Sequence, residues 1–232
     1  MAELDEAQRR VLESSALFAD LPDPLRADIV GVAAVRRLRH GELLFTRGAP
    51  ADGWYAVLSG AIRVGAVSEA GREIALAYLE PGSFFGEISL FYGLPRTHDN
   101  HAHGDCCLLF VSRASFRGLL DRHPALCEAL LRQLRHRVRM LFAAVEDVSM
   151  LTLDVRLARQ LGALARSYGE ASEAGTRIGI KLHQEALAQL LGVPRQRINQ
   201  ELRALERDGV IAQAAGYITL MDRNGLQRRA NL

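Results

Sequence analysis

The chain of 232 residues is long enough for one large or two smaller domains, and 49% hydrophobic with 24% charged residues is the composition of a globular protein able to bury a core. No run of about 18 apolar residues occurs, and the first twenty residues carry several acids and no apolar block, which excludes the pattern of a membrane span or secretory signal. A cytoplasmic location, with no membrane partner, is the expectation. The formal charge of +2 divides unevenly: residues 1–149 hold 17 Arg against 19 acids, and residues 150–232 hold 12 Lys plus Arg against 8, so the end of the chain is the part suited to a polyanion. Cys106, Cys107 and Cys127 fit neither a disulfide framework nor metal-ligand spacing, and they read as reduced packing residues.

Residues 5–16 carry an amphipathic helix pattern. Leu17, Phe18 and Leu21, followed by Pro22 and Pro24, mark a break before a second helix through about Val35, and Arg36 to His40 lead out of it. From Gly41 short apolar runs replace the helical period. Strand candidates fall at 42–46, 53–58, 61–67, 73–79 and 106–112, with turn signals at Arg47-Gly48, Ser59-Gly60, Ala70-Gly71 and Pro81-Gly82. Short strands with glycines at the corners predict a β-barrel or jelly roll.

Residues 82–97 gather what a pocket for a small phosphate needs. Gly82 and Gly86 let the backbone turn tightly and bring bare N–H groups close to an anion. Glu87 offers a carboxylate for two adjacent hydroxyls, while Arg96 and Thr97 bring a fork of donors and a hydroxyl suited to a phosphate diester. The candidate ligand-binding residues are Gly86, Glu87, Ile88, Ser89, Arg96 and Thr97. In the alternative, Glu87 and Arg96 pair with each other as a buried salt bridge in a sensor without a nucleotide. The run His98-Asp-Asn-His-Ala-His-Gly104 is polar where a strand would be apolar. Alternation puts Asp99, His101 and His103 on one face, a spacing that suits a metal or a haem, although a solvated, irregular edge with no metal is the expectation.

From Pro124 no glycine or proline occurs until Gly162. Cys127, Leu131, Leu134, Val138, Leu141, Val145 and Val148 repeat in steps of four and three, a heptad seam that predicts a parallel two-helix dimer interface. The alternative is a stripe packed on the chain's own barrel. A second helix from about Asp154 to Tyr168 precedes a loop over 169–176 and a strand at 178–182. Residues 183–209 then read as two helices joined at Gly192, with Ala188 small at the crossing and Pro194 opening the second helix. On that helix Ile198, Leu202 and Leu205 form the buried stripe, leaving Arg195, Gln196, Asn199, Gln200 and Arg203 outward. Arg suits guanine and Asn or Gln suit adenine. Ile211 to Leu220, turning at Gly216, supplies the hairpin of a winged helix.

Phe85-Gly-Glu-Ile-Ser-Leu90, with Tyr92, Gly93 and Pro95-Arg-Thr97, resembles the phosphate-binding cassette of the cyclic-nucleotide-binding fold, and Leu44-Phe-Thr-Arg-Gly-Ala-Pro-Ala-Asp52 and Leu58-Ser-Gly-Ala-Ile-Arg-Val64 resemble its early strands. With the long helix and the helix-turn-helix, almost the whole chain resembles the Crp/Fnr family of bacterial transcription regulators. The fold class this implies is α+β: an N-terminal β jelly roll sensor (1–122), a long dimerisation helix (123–150) and a C-terminal winged helix-turn-helix (151–232). The function implied is that of a homodimer gated by a cyclic nucleotide, cyclic AMP first, that binds double-stranded DNA at an inverted repeat and works with RNA polymerase. His183, Gln184 and Arg197 join the outward residues as DNA contacts.

Two departures bear on the effector. Where cyclic-AMP-responsive members place small hydroxyl residues against the base, this chain has Leu141 and Phe142, and the four cysteines of the iron-sulfur members are missing. A regulator sensing cyclic di-GMP, haem or a metal, or acting without a nucleotide, is the alternative. A cyclic-nucleotide-processing enzyme is not expected, because His40, His123, His136 and His183 lie on separate elements with no Ser, Cys or Asp at motif spacing.

Overall fold

The structure, a computed structural model, describes residues 3–67 and 73–231, so the turn expected at Ala70-Gly71 lies outside the described residues. Asp5 caps α1 (Glu6–Glu13): its carboxylate accepts from the Gln8 N–H at 2.8 Å, and the Gln8 side chain accepts from the Asp5 N–H at 3.2 Å. Next come α2 (Ala16–Ala19) and α3 (Asp23–Val32), then β1 (Ala34–Leu38), β2 (Leu43–Phe45), β3 (Gly53–Val67), β4 (Glu73–Leu79) and β5 (Phe84–Phe85). The one-turn α4 (Ile88–Phe91) leads to β6 (Asp99–Ser112), α5 (Arg113–Arg122) and α6 (Pro124–Met150). The strands form one six-stranded sheet in the order β1-β6-β3-β4, with β2 added to β6 and β5 to β3.

The sheet packs apolar side chains on both faces. Along β3 and β5 successive residues point to opposite sides, so Trp54 and Phe84 join Leu25, Ile29, Phe116, Leu126 and Leu130 in one cluster, while Tyr55 and Phe85 join Val57, Ile62, Ala102 and Leu108 in the other. That double burial explains why β3 begins as an almost unbroken apolar run.

Three expectations need correction here. The second helix stops at Val32, and Ala34–Leu38 becomes a strand paired from Ala34↔Phe110 to Leu38↔Cys106. Arginines do not spoil this strand, because a long side chain can lie along the sheet: the Arg36 guanidinium sits 3.6 Å over the Phe110 ring centroid. Ser59-Gly60 is not a turn between two strands but a bulge within β3, where the register against β6 shifts between Val57 and Ala61. The histidine run is not an irregular edge either. It is paired on both sides, His101 with Leu43 and with Arg63, and His103 with Ala61. Asn100 and Ala102 are buried, and the alternate residues are only half-buried; Asp99 Oδ1 accepts the Arg47 N–H at 2.7 Å, and the His103 ring lies 4.9 Å from Tyr78 and 5.7 Å from His40. Among the described residues no group of three or more His, Cys, Asp or Glu is placed to hold a metal.

The described residues form two compact units, residues 3–66 with 77–139 and residues 67 and 73–76 with 140–231. In the second, α7 (Leu153–Tyr168) runs into a hairpin of β7 (Gly169–Ser172) and β8 (Gly175–Ile178). The expected loop over 169–176 is therefore strand for most of its length, and the strand expected at 178–182 ends where it was to begin. Beyond it the Leu182 N–H donates to the Gly216 carbonyl at 2.9 Å. Then follow α8 (Gln184–Leu191), α9 (Arg195–Arg207), β9 (Ile211–Ala214), β10 (Tyr217–Leu220) and α10 (Arg223–Arg229), with sheet order β7-β8-β10-β9. No helix among the described residues is long and apolar enough to cross a membrane.

Candidate ligand pocket and DNA-reading helix

Gly86 stands at φ +94°, a backbone conformation that a Cβ opposes, and a Cβ there would lie 2.8 Å from Arg96 Nη1 and 3.2 Å from the Gly53 carbonyl oxygen. The close approach brings Arg96 inward until it is 2% exposed. Its Nη1 donates to the Gly86 carbonyl at 2.8 Å, and its Nη2 donates to the Gly53 carbonyl and to Asp52 Oδ1, each at 2.7 Å. The guanidinium also lies 4.1 Å over the Phe45 ring centroid. A guanidinium does not lose its proton, so its burial demands these acceptors.

Glu87 is fully buried, and its Oε1 accepts from Arg137 of α6, which also donates to the Phe84 carbonyl. Gln133, one turn earlier, donates to the same carbonyl at 2.8 Å. Burial pushes the Glu87 carboxyl above its usual range, and the Arg137 charge only partly offsets it. Glu87 and Arg96 thus do not pair with each other. Each keeps one buried atom, Glu87 Oε2 and Arg96 Nε, without a hydrogen-bond partner among the described residues. Ser89 is buried and its hydroxyl donates to the Pro95 carbonyl at 3.0 Å, fixing the bend between acid and base. Thr97 is exposed, its Oγ1 2.9 Å from His98 Nδ1, and Ile88 is 47% exposed. The donor set fits a cyclic nucleotide in kind: a carboxylate for ribose hydroxyls and a guanidinium for the phosphate.

Two residues of this pocket escaped the sequence reading. Asp52 lies 44 positions before Arg96, inside a stretch that marked only the early strands. Arg137 was hidden among the arginines of α6, although Leu126, Leu130, Gln133 and Arg137 repeat at steps of four, three and four and mark the helix face that meets the barrel. The heptad residues lie on another face: Leu131, Val138, Leu141, Val145 and Val148 are 49–66% exposed, Cys127 is exposed and Leu134 half-buried.

In the second unit Gly192 ends α8 in the left-handed conformation at φ +68°, and the Val193 N–H donates to the Ala188 carbonyl at 3.1 Å. Pro194 caps α9. Ile198, Leu202 and Leu205 are buried, while Arg195, Gln196, Arg197, Gln200 and Arg203 are exposed and Asn199 is half-buried, as the stripe required. Gln184 Nε2 donates to Asn199 Oδ1 at 3.0 Å, tying two predicted DNA-facing side chains together across the turn. His183 is exposed, its ring against Gly216 of the wing turn.

A β sensor carrying a buried acid and base, followed by a long helix and a winged helix-turn-helix, is the architecture of a transcription regulator. Residues 35–123 match the family model described as "Cyclic nucleotide-binding domain", and residues 155–229 match "Crp-like helix-turn-helix domain". The chain is 30% identical over 190 residues to the "CRP-like cAMP-activated global transcriptional regulator" of Mycobacterium tuberculosis, covering 82% of this chain and 85% of that one. It is 29% identical to the "Global nitrogen regulator" of Synechococcus elongatus, covering 81% and 86%. A solved regulator of the Crp/Fnr family from Thermus thermophilus superposes with a TM-score of 0.73 at 27% identity, covering 85% of this chain and 98% of that one. The chain belongs to the Crp/Fnr family of transcription regulators.

The Glu87–Arg137 contact generates a stability prediction. Arg137→Ala leaves a buried carboxylate without its cation and should cost about 1–3 kcal/mol at pH 7. A carboxyl whose folded pKa lies above its unfolded one destabilises the fold when charged, and removing Arg137 raises that pKa further. The deficit relative to wild type should therefore shrink as pH falls and Glu87 takes up a proton. Urea unfolding at several pH values measures it; a deficit independent of pH would mean that the loss lies in packing alone.

Proposed function

We propose that this protein is a cytoplasmic homodimeric regulator whose DNA binding is gated by a cyclic nucleotide, with residues 1–122 as sensor, 123–150 as dimerisation helix and 151–232 as DNA-binding domain, working with RNA polymerase at an inverted-repeat operator. The observation that carries the effector reading is the pair Glu87 and Arg96, both withdrawn from water in one cassette, each with a polar atom left unpartnered. An unsatisfied buried polar atom costs free energy, and a ligand with hydroxyls and a phosphate supplies both partners. Gly86, Ile88, Ser89 and Thr97 complete the proposed contact set. Cyclic AMP is the first choice, since the Mycobacterium tuberculosis relative carries that effector in its name.

The seam supports dimerisation. Five apolar side chains in heptad spacing on one face of α6, Leu131, Val138, Leu141, Val145 and Val148, are exposed, and a second copy of the helix would cover them. Leu141 and Phe142 favour a second reading of the effector, because neither can bond an adenine amine where cyclic-AMP-responsive members place a hydroxyl. In that reading the phosphate contacts hold and the base differs.

Calorimetric titration with cyclic AMP, cyclic GMP and cyclic di-GMP tests the pocket. Arg96→Leu should weaken binding of the responsive nucleotide by about ten- to a hundredfold, and an unchanged titration would sink the nucleotide reading. Light scattering should return a dimer for wild type and a monomer or soluble aggregate for Leu141→Asp, which puts a carboxylate into the seam; a normal dimer for the variant would remove Leu141 from the interface. Selection from random DNA should recover an inverted repeat with half-site centres about 34–36 Å apart. Arg195→Ala should relax preference at one base pair at a cost of about 1–3 kcal/mol, whereas Arg203→Ala should weaken all sequences alike. An Arg195→Ala selection profile identical to wild type would show that another face of α9 enters the groove.

A further inference from the structure

Between α7 and α10 the second unit leaves a cavity of about 280 Å³, near the lower end of the roughly 300–1,000 Å³ of small-molecule pockets. Its floor is apolar. Ala158, Gly162 and Ala165 recur in steps of four and three on one face of α7, with the buried Leu226 of α10 opposite them. Packing does not require the glycine. Inside a helix it destabilises relative to alanine, yet a Cβ at 162 would meet Arg166 Nη1 at 3.6 Å and Leu226 Cδ2 at 4.0 Å, both ordinary contacts. What the missing methyl group supplies is room. The same distance sets the Arg166 guanidinium at the cavity, and the rest of the rim is cationic too, with Arg159 two turns before it on α7 and Arg223 at the start of α10. Arg159 is committed, its Nε donating to the Ala230 carbonyl at 3.0 Å and its Nη1 to Asp147 at 2.7 Å. The exposed side chains of Arg166 and Arg223 have no hydrogen bond or ion pair among the described residues.

We propose that this cavity binds a small organic anion with an apolar body, a medium-chain carboxylate, whose chain lies on the Gly162 floor and whose carboxylate meets Arg166 and Arg223. The two halves of the site select the class together. An inorganic anion would leave the floor wet and gain only the screened attraction of exposed arginines. A neutral apolar molecule would fill the floor and leave both cations unused. An amphipathic anion gains from burying its chain and from charge-assisted hydrogen bonds at its head. Such a ligand would tie α10 to α7, the helix that also supports the reader, since Arg156 of α7 donates to the Leu191 carbonyl at the end of α8 at 2.6 Å. The site is distinct from the cassette of the sensor and does not depend on a nucleotide there.

Calorimetric titration of the full chain with sodium octanoate and sodium decanoate, kept below the concentration at which either forms micelles, tests the site. Decanoate should bind more tightly than octanoate, by up to about fourfold for each methylene that finds the floor. Decanol and the decyltrimethylammonium cation, with the same chain and no negative charge, should bind about tenfold more weakly or worse. Replacing the two rim arginines together, Arg166→Gln with Arg223→Gln, should weaken decanoate about tenfold and flatten its salt dependence. Both positions are exposed, so this variant keeps its fold, which circular dichroism confirms. Gly162→Leu should fill the floor and abolish binding, and Gly162→Ala should raise Tm while weakening decanoate more than octanoate. Failure of wild type to bind either acid would overturn the proposal. So would equal binding of decanoate, decanol and the cation, or decanoate binding unchanged in the double arginine variant. Loss of affinity for DNA of random sequence in that variant, with no binding of the acids to wild type, would make the rim a contact for DNA phosphates instead.

Discussion

The sensor unit is arranged around a charge that cannot be neutralised by losing a proton. Carrying Arg96 into the protein is tolerable only where carbonyls and a carboxylate converge on it, and the surrounding backbone meets that demand. Gly86 must lack a Cβ so that its own carbonyl can approach the guanidinium, and Gly53 must lack one because Phe110 and the Val111 carbonyl crowd it. Phe45 closes the remaining side with its ring face. Four segments far apart in sequence, near 45, 52, 86 and 96, are thereby held to one another.

The long helix serves two environments with two faces. Toward the barrel it offers Leu126 and Leu130, then Gln133 and Arg137, passing from apolar packing to hydrogen bonding as it reaches Glu87. Its heptad face carries apolar side chains outward. Gln133 and Arg137 tie the first part of α6 to the cassette, since both donate to the Phe84 carbonyl and Arg137 also bonds Glu87.

Much of this was legible in the sequence. The second helix of the reader, its buried stripe and its turn glycine follow from the helical period and from cap chemistry, which are local. The cassette was legible because glycine, acid and base fall within fifteen or so positions, a spacing set by the needs of the ligand chemistry. What escaped was determined by distant partners. Ala34–Leu38 is a strand because β6 lies beside it, and its arginines gave a polar signal that the Phe110 ring beneath Arg36 explains only in three dimensions. The histidine run is strand for the same reason: hydrogen bonding to β2 and β3 on either side outweighs low propensity. Asp52 and Arg137 bond Arg96 and Glu87 across 44 and 50 positions, and although the helical period marks the face of α6 that carries Arg137, no local spacing names the partner of either residue.

The bulge in β3 carries a further consequence. Before it the odd-numbered Tyr55 and Val57 face the same cluster that the even-numbered Ile62 faces after it. The irregularity thus exchanges the parity of the strand and keeps one core continuous along its length. Chain length between Val57 and Ala61 is consequently a fixed quantity in this protein, more so than the identity of Ser59. One residue inserted or deleted there would turn Ile62 toward the wrong side of the sheet and set Ala102, its partner, against the wrong neighbour. At this point of the strand the count of residues is itself the structural information.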